Sequence, residues 1–406
     1  MYLDFAATNP ISKVWLDSII NSSAKGLYGN PGSYHKAGFD ALEMMETSTK
    51  NILNAIFRDK AVAEKYDICY NSGSTESINQ FLYAFSKKPK ALVIYENIAH
   101  KAVLKSVEKY FSKNSFKLDF SLTEDEVLDN FESFLDKNKD KYKNFLLVLT
   151  SVNNETGGIW KYNLVKELDD KIKTYLNIWS MEKQLFLFLD HTQGFMKHNE
   201  KLELADAFCF SAHKIGGMKG FGGLVYKKKL ESVLQDNPLI VGGYDIRGGT
   251  KDPISVKALD DLIDDVYVKN IVLDQNVFKL HDLVCDKLRD IAKEYNVPLS
   301  FNYYSKLFGD QSPYIINASF IGIEGESLMS SLMDDCISTG SACNSSELKT
   351  SHVLTGLGIK KLNANCAFRI SLSAEVNEEE LNDFLDNRFK PAIKFLSRMR
   401  TRHGEE

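Results

Sequence analysis

The chain has no C-x-x-C pair: its six cysteines stand singly at positions 69, 209, 285, 336, 343 and 366. That scatter argues against the common zinc modules and against a disulfide framework, so no metal site is expected and a reducing, cytoplasmic setting is. There the Asn154-Glu-Thr156 and Asn344-Ser-Ser346 triplets would not meet the glycosylation machinery. No uninterrupted apolar run approaches the length of a membrane span. Met1-Tyr-Leu-Asp-Phe5 lacks a basic n-region and an apolar h-region, so neither a signal peptide nor a membrane partner is expected. Positive charge is not in excess, with 50 Lys and Arg against 55 Asp and Glu and a net charge of −5. That balance argues against a dedicated nucleic-acid surface. The chain shows no internal repeat and no low-complexity tract.

What is present is the composition of an ordinary globular protein, 44% hydrophobic and 26% charged. A length of 406 residues exceeds what one core usually organises, so two domains are expected. Asp67–Tyr70, Ala91–Tyr95, Phe145–Leu149, Leu185–Leu189 and Ala207–Phe210 read as short buried strands, and Leu224–Tyr226 as a returning one. Helical spacing appears from about Tyr34 to Phe57, along Ile78, Phe81, Leu82 and Phe85, along Val103, Val107 and Phe111, and near 161–180. Residues 1–34 read as irregular, punctuated by Asn9-Pro10 and Gly29-Asn-Pro-Gly-Ser33. The alternation predicts an α/β fold with a mostly parallel central sheet. Past about 256 the pattern changes to a long helical stretch reaching about 300, a strand-like run Tyr314–Phe320, a helix near 325–334 and the run Phe368–Leu372. That is the pattern of a smaller α+β domain. The expected division is a large domain over 13–260 and a small one made of 1–12 with 261–406.

In open parallel sheets, ligands sit beyond the carboxyl ends of the strands. Five polar clusters fall at such ends: Ser74/Thr75, His100, Asn154, Asp190/Gln193 and Ser211/His213/Lys214. Each has an ordinary reading by itself. Ser74 or Thr75 can simply cap a helix, Asp190 can be ion-paired, His100 can be a satisfied buried imidazole, and Lys214 can be a surface lysine before a hairpin turn. Their convergence on one edge is what points to a site. A lysine there suits a Schiff base with a carbonyl cofactor, and pyridoxal phosphate matches the other parts. Its phosphate wants hydroxyls and amides, which Ser74, Thr75, Ser211 and Thr250 can supply. Its ring nitrogen wants a carboxylate such as Asp190, its ring hydroxyl a donor such as Gln193, and its face a stacking group such as His100. A second candidate is Cys343, set among small polar residues in Ser338-Thr-Gly-Ser-Ala-Cys-Asn-Ser-Ser346. This composition predicts a mobile, solvent-accessible thiol suited to carrying sulfur, with an incidental loop cysteine as the alternative.

The chain resembles the cysteine desulfurases of the NifS/IscS type, in the class V aminotransferase group of fold-type I pyridoxal-phosphate enzymes. The matching motifs are Tyr2-Leu-Asp-Phe-Ala-Ala-Thr8, Gly29-Asn-Pro-Gly-Ser-Tyr-His-Lys-Ala-Gly38, Ser72-Gly-Ser-Thr-Glu-Ser77 and His100-Lys-Ala-Val-Leu104. They continue, in order, with Val152-Asn-Asn-Glu155, Asp190-His-Thr-Gln193, Ser211-Ala-His-Lys214, Arg247-Gly-Gly-Thr250, Ser341-Ala-Cys343 and Phe368-Arg-Ile-Ser-Leu372. The resemblance implies that Lys214 is the Schiff-base lysine, Asp190 the partner of the ring nitrogen, Gln193 that of the ring oxygen and His100 the stacking acid/base. It implies Ser74, Thr75, Ser211 and His213 as phosphate ligands, Thr250 as a ligand reaching in from the other subunit of a homodimer, Arg369 and Asn154 as holders of the substrate carboxylate, and Cys343 as the nucleophile. The implied activity removes sulfur from L-cysteine, leaving L-alanine and a persulfide for an acceptor protein in iron–sulfur cluster assembly or tRNA thiolation, with no direct nucleic-acid contact. Another class V aminotransferase or lyase, such as a selenocysteine lyase, and a catalytically silent partner-binding relative are the alternatives. The chain departs from the pattern at Val241-Gly-Gly-Tyr-Asp245, where the family has three glycines. It departs again at Thr339, at His191 and Ser151, which stand where Ala and His are usual, and in a shorter region after Arg369.

Overall fold

The computed structural model describes residues 1–178, 184–198, 201–243, 245–268, 275–303, 305–339 and 350–399. Its centre is a sheet of seven strands: β1 (Tyr66–Asn71), β2 (Ala91–Glu96), β3 (Ser115–Leu118), β4 (Asn144–Thr150), β6 (Leu185–Asp190), β7 (Ala207–Ser211) and β8 (Gly222–Lys227). A short strand β5 (Gly158–Trp160) lies outside it and pairs with β10 (Phe308–Gln311). The spatial order is β1-β8-β7-β6-β4-β2-β3. β8 alone runs against its neighbours, so β1, β2, β4, β6 and β7 all deliver their carboxyl ends to one edge.

Apolar residues fill both faces of these strands because helices cover both sides. Along β4, Phe145, Leu147 and Leu149 enter one core while Leu146 and Val148 enter the other. Along β7, Phe208 and Phe210 split from Ala207 and Cys209 in the same way. Helices Ser74–Ser86 and Lys101–Phe111 press Phe81, Phe85, Val103 and Val107 onto one face. Helices Lys36–Phe57, Glu124–Lys137, Asn163–Leu176 and Pro253–Val268 cover the other. A third core gathers around an antiparallel sheet of order β12-β11-β9, formed by β9 (Leu299–Phe301), β11 (Ile315–Phe320) and β12 (Ala367–Ser371). Leu3 and Ala6 belong to that core, so the start of the chain packs with segments some 300 residues on. Among the described residues no helix is long and apolar enough to cross a membrane.

Two local expectations are corrected. Residues 1–34 are not wholly irregular: Lys13–Ala24 is a helix, started by the Ser12 hydroxyl accepting from the Val14 amide at 3.2 Å. Two serines near its end and exposed Leu16 and Ile20 blur its periodicity in the sequence. The long helical stretch expected over about 256–300 is present as Pro253–Val268 and Gln275–Glu294. Helix Ser74–Ser86 has Gly73 as its N-cap, with no side-chain cap.

Candidate functional site

At the end of β1 the chain turns through Gly73, at φ +125°, straight into helix Ser74–Ser86. A Cβ at Gly73 would sit 2.9 Å from Ser211 Oγ, so only glycine lets this turn meet the end of β7. The Ser74 amide donates to Ser211 Oγ at 2.9 Å, and the two hydroxyls are also 2.9 Å apart. Thr192 Oγ1 lies 2.7 Å from Ser74 Oγ. The expected Ser74 cap fails because that hydroxyl is engaged across the sheet edge, while Thr75 is exposed one residue further on. The Thr75 and Glu76 amides have no protein acceptor among the described residues. Open amides at a helix start, beside three hydroxyls, form an anion cradle.

Asp190, at the end of β6, is 4% exposed. The Thr192 amide, the Thr192 hydroxyl and the Cys209 thiol all address its Oδ1. Oδ2 has no protein partner among the described residues. A carboxylate with one oxygen fixed and one open is suited to a cationic N–H. Behind it, His191 is buried and its Nδ1 lies 2.8 Å from Ser151 Oγ, tying the ends of β6 and β4 together.

Lys214 follows β7 by three residues. Its ammonium donates to the carbonyls of Ala6 at 2.7 Å and Ala7 at 2.8 Å. Gln193 Nε2 donates to the same Ala6 carbonyl at 2.7 Å. Asn9 bonds the His213 and Lys214 carbonyls, and Thr8 Oγ1 lies 3.1 Å from His213 Nδ1. The N-terminal strip Asp4–Asn9 therefore forms one wall of the site. Burial, then the neighbouring Lys214 and Lys219, push the His213 imidazole down to about 4, so at neutral pH it is uncharged and donates from one nitrogen only.

Positive charge is brought to this strip from β12. Arg369, on β12, is 4% exposed; Nη1 donates to the Asn154 carbonyl at 2.6 Å and Nη2 to Asp4 Oδ1 at 2.7 Å. Its Nε–H is buried with no partner, an unusual cost for a guanidinium and the mark of an absent acceptor. Glu155, next to Asn154, accepts from the Ser351 hydroxyl. Burial pushes its carboxyl up to about 7, against the opposing pull of Ser351, Arg369, Lys101 and His100. His100 caps helix Lys101–Phe111, its Nδ1 accepting from the Ala102 amide at 3.2 Å, which leaves Nε2 as the N–H nitrogen of the neutral ring.

Ser74, Ser211, Asp190, Gln193, His213 and Lys214 are thus linked through the cradle, Thr192 and the N-terminal strip, and Arg369 with Asn154 join through Asp4. Thr250 stands apart. It is exposed on the Arg247–Thr250 turn, where Arg247 is held to Glu76 at 2.6 Å, and it lines a cavity of about 550 Å³ with Ser72 and Phe221. Cys343 lies outside the described residues. Sequence reasoning gave no role to Asp4, to the Ala6 and Ala7 carbonyls or to Thr192. Their signal was the Tyr2–Thr8 motif and the position of Thr192 between two assigned residues.

The family model described as Aminotransferase class-V matches residues 1–384. The chain is 30% identical over 389 residues to Cysteine desulfurase IscS of Buchnera aphidicola subsp. Schizaphis graminum, covering 94% of this chain and 90% of that one. It is 29% identical to a probable mitochondrial cysteine desulfurase of Schizosaccharomyces pombe, over 98% of this chain and 75% of the relative. Its fold is similar to that of a NifS-like protein from Rickettsia africae, with a TM-score of 0.75 at 22% identity, covering 97% and 99% of the two chains.

Proposed function

From the premise that the chain belongs to the aminotransferase class-V family, we propose that it is a pyridoxal-phosphate-dependent cysteine desulfurase acting on L-cysteine. The observation that carries the reading is Asp190, its Oδ2 unpartnered among the described residues, joined through Thr192 to a hydroxyl-and-amide cradle, with Gln193 and Lys214 donating to one shared carbonyl. These residues fit pyridoxal phosphate: Ser74, Thr75, Ser211 and His213 would hold its phosphate, Asp190 its ring nitrogen, Gln193 its ring oxygen and Lys214 its carbonyl carbon. When bound, the cofactor supplies an electron sink for the pair released at the substrate Cα. Arg369, with its unpartnered Nε–H, and Asn154 take the substrate carboxylate. Lys214, once free of the Ala6 and Ala7 carbonyls, moves the Cα proton, and His100 serves as the second acid/base. The Cys343 thiolate attacks the substrate Sγ. The Cβ–Sγ bond breaks, a sulfur–sulfur bond forms on Cys343, and the carbon skeleton takes up a proton at Cβ, regains one at Cα and leaves as L-alanine.

We further propose a homodimer in which Thr250 completes the partner's cradle, because Thr250 is exposed and forms no hydrogen bond with Ser74 or Ser211 of its own chain among the described residues. Leu3 and Ala6 share a core with residues between 277 and 393, which supports a small domain made of 1–12 and 261–406 beside a large one over 13–260, although Leu262, Ile263, Leu307, Val353 and Leu357 pack into the core of the large sheet. A cytoplasmic setting and a persulfide-accepting protein complete the reading.

The test is direct. Protein supplied with pyridoxal phosphate should gain a visible absorbance band and release sulfide and alanine from L-cysteine. Lys214→Ala should lose both, while Cys343→Ala should keep the band and lose sulfide. Pyruvate or a keto acid in place of alanine would transfer the reading to an aminotransferase or lyase, and a protein that stays colourless would end it.

A further inference from the structure

Helix Ser74–Ser86 has a second task besides opening its first amides to the cradle. Glu76 and Gln80 stand one turn apart on it, at i and i+4, and so share a face. Both hold the segment that leads to Thr250. Arg247 Nε donates to Glu76 Oε1 at 2.6 Å, and Gln80 Nε2 donates to the Ile246 carbonyl at 2.8 Å. Gln80 is 1% exposed and Ile246 6%, and Ile246 enters the same core as Ile78 and Phe81 of the helix. The segment cannot shift without giving up an ion pair, a buried hydrogen bond and a place in the core together.

The turn beyond is closed on itself. The Gly248 amide donates to the Ile240 carbonyl at 2.8 Å, and Arg247 Nη1 donates to the Gly248 carbonyl at 3.1 Å. A Cβ at Gly248 would come within 2.5 Å of the Gly242 amide nitrogen, so the two limbs meet only through glycine. Thr250 leaves this turn exposed, three residues after the guanidinium that anchors it. Glu76 also reaches the other way. Its Oε2 accepts from the Ser72 hydroxyl at 2.6 Å and from the Ser72 amide at 3.0 Å, across the Gly73 turn. One carboxylate thus ties the Arg247–Thr250 turn to the turn that opens the chain's own cradle. Burial raises this carboxyl, but the bonds from Arg247 and Ser72 outweigh it, so it is held below its ordinary value and stays charged. With side chains 11% and 28% exposed, Glu76 and Arg247 are more sheltered than an ordinary surface pair, and their charge-assisted bond is less screened.

We propose that Arg247, held by Glu76, is a positioning residue for the cofactor site of the other subunit. Helix Ser74–Ser86 then builds the cradle of its own chain and sets the Thr250 that completes its partner's. The inference rests on the homodimer in which Thr250 reaches across. A hydroxyl on an exposed turn binds an anion well only if the turn is already ordered, because ordering it on binding costs conformational entropy. Glu76, Gln80 and the closed glycine turn remove that cost beforehand. In its own chain, loss of Arg247 would also leave an unpaired carboxylate in the turn that supplies the cradle's amides, so the two effects must be measured in different subunits.

Hybrid dimers of differently tagged chains make that separation. One chain is native and carries the only Lys214 of the dimer; the other carries Lys214→Ala with Arg247→Gln. The single site able to develop the visible band then consists of native residues apart from the turn supplied by the variant chain. Its Kd for pyridoxal phosphate, titrated by absorbance, should be about tenfold higher than in a hybrid whose variant chain carries Lys214→Ala alone, the scale of one hydrogen bond to a charged group. Gln80→Leu in place of Arg247→Gln should act in the same direction, and makes the comparison if the arginine variant fails to fold by circular dichroism. In cofactor-free protein, Glu76→Gln should speed hydrogen exchange in the peptide over 246–251 and leave β4 unchanged. An unchanged Kd in these hybrids overturns the proposal, as does an unchanged exchange rate over 246–251. A hybrid with Thr250→Ala in the Lys214→Ala chain tests the premise. If that too leaves Kd unchanged, or if the protein sediments as a monomer, the homodimer reading fails and takes the inference with it.

Discussion

Glu96 ends β2 and is 1% exposed, with Oε1 accepting from the Thr150 amide at 3.1 Å. Its Oε2 and the Thr150 hydroxyl are both buried without partners, the pattern of a carboxyl that retains its proton. Burial, aided by the nearby Asp190 charge and opposed by Thr150, pushes it up to about 8 from the ordinary 4.5. Below the ordinary value both folded and unfolded chains hold the proton and the contribution is complete. Between there and about 8 only the folded chain holds it, so stability falls as pH rises, by up to about 1.4 kcal/mol per pH unit. Denaturant unfolding at pH 6 and pH 8 should therefore show Glu96→Gln gaining on the native protein at the higher pH; a difference independent of pH would show that Glu96 is ionised. At Arg369, Lys keeps the charge but cannot serve Asn154, Asp4 and a ligand together. Arg369→Lys should lower kcat/KM for L-cysteine about tenfold to a hundredfold, chiefly through KM, in steady-state assays.

Two helix starts of opposite construction make a matched pair of predictions. Helix Glu124–Lys137 begins with a complete capping box, Thr123 and Glu126 each bonding the other's backbone. Thr123→Ala should cost about 1 kcal/mol in denaturant unfolding and leave desulfurase activity unchanged. Helix Ser74–Ser86 begins with Gly73 in a conformation open only to glycine, against the Ser211 hydroxyl. Gly73→Ala should cost about 1–3 kcal/mol and, unlike the first change, weaken cofactor binding in a fluorescence titration. This pair also marks what the sequence made legible. The capping box was not singled out in the sequence, although its spacing is local and readable. The strand ends were found because apolar runs bounded by Ser72-Gly73, Asn153-Asn154 and Asp190 are local signals as well. The Gly73 cap was misassigned because the demand on Ser74 comes from Ser211, 137 residues away. The role of the N-terminal strip was missed for the same reason: its hydrogen bonds to Lys214, Gln193 and Ser371 span 187 to 365 residues, and no window of sequence contains both partners.

For the whole assembly, the exposed Thr250 gives a prediction about pairs of chains. Lys214→Ala and Thr250→Ala homodimers should each bind pyridoxal phosphate poorly. Hybrid dimers formed by mixing them should regain one intact site, because the Lys214-bearing subunit would receive Thr250 from its neighbour. No recovery of visible absorbance on mixing would place Thr250 in its own chain's site. The N-terminal strip has a consequence of another kind, in the order of synthesis. Leu3 donates to the Cys336 carbonyl at 2.9 Å, and Ala6 donates to the Ser371 hydroxyl across 365 residues. The wall that holds Lys214 is thus made before its partners: residues 193–214 can receive Ala6 to Asn9 early, whereas Leu3 and the Ala6 amide wait for Cys336 and Ser371. Every strand of the large sheet precedes β12, so the sheet and its cradle can form before the strip is tied down at its Leu3 end, and Arg369, the proposed holder of the substrate carboxylate, arrives in the same late segment. Translation order alone would then keep a half-made chain from closing its substrate site.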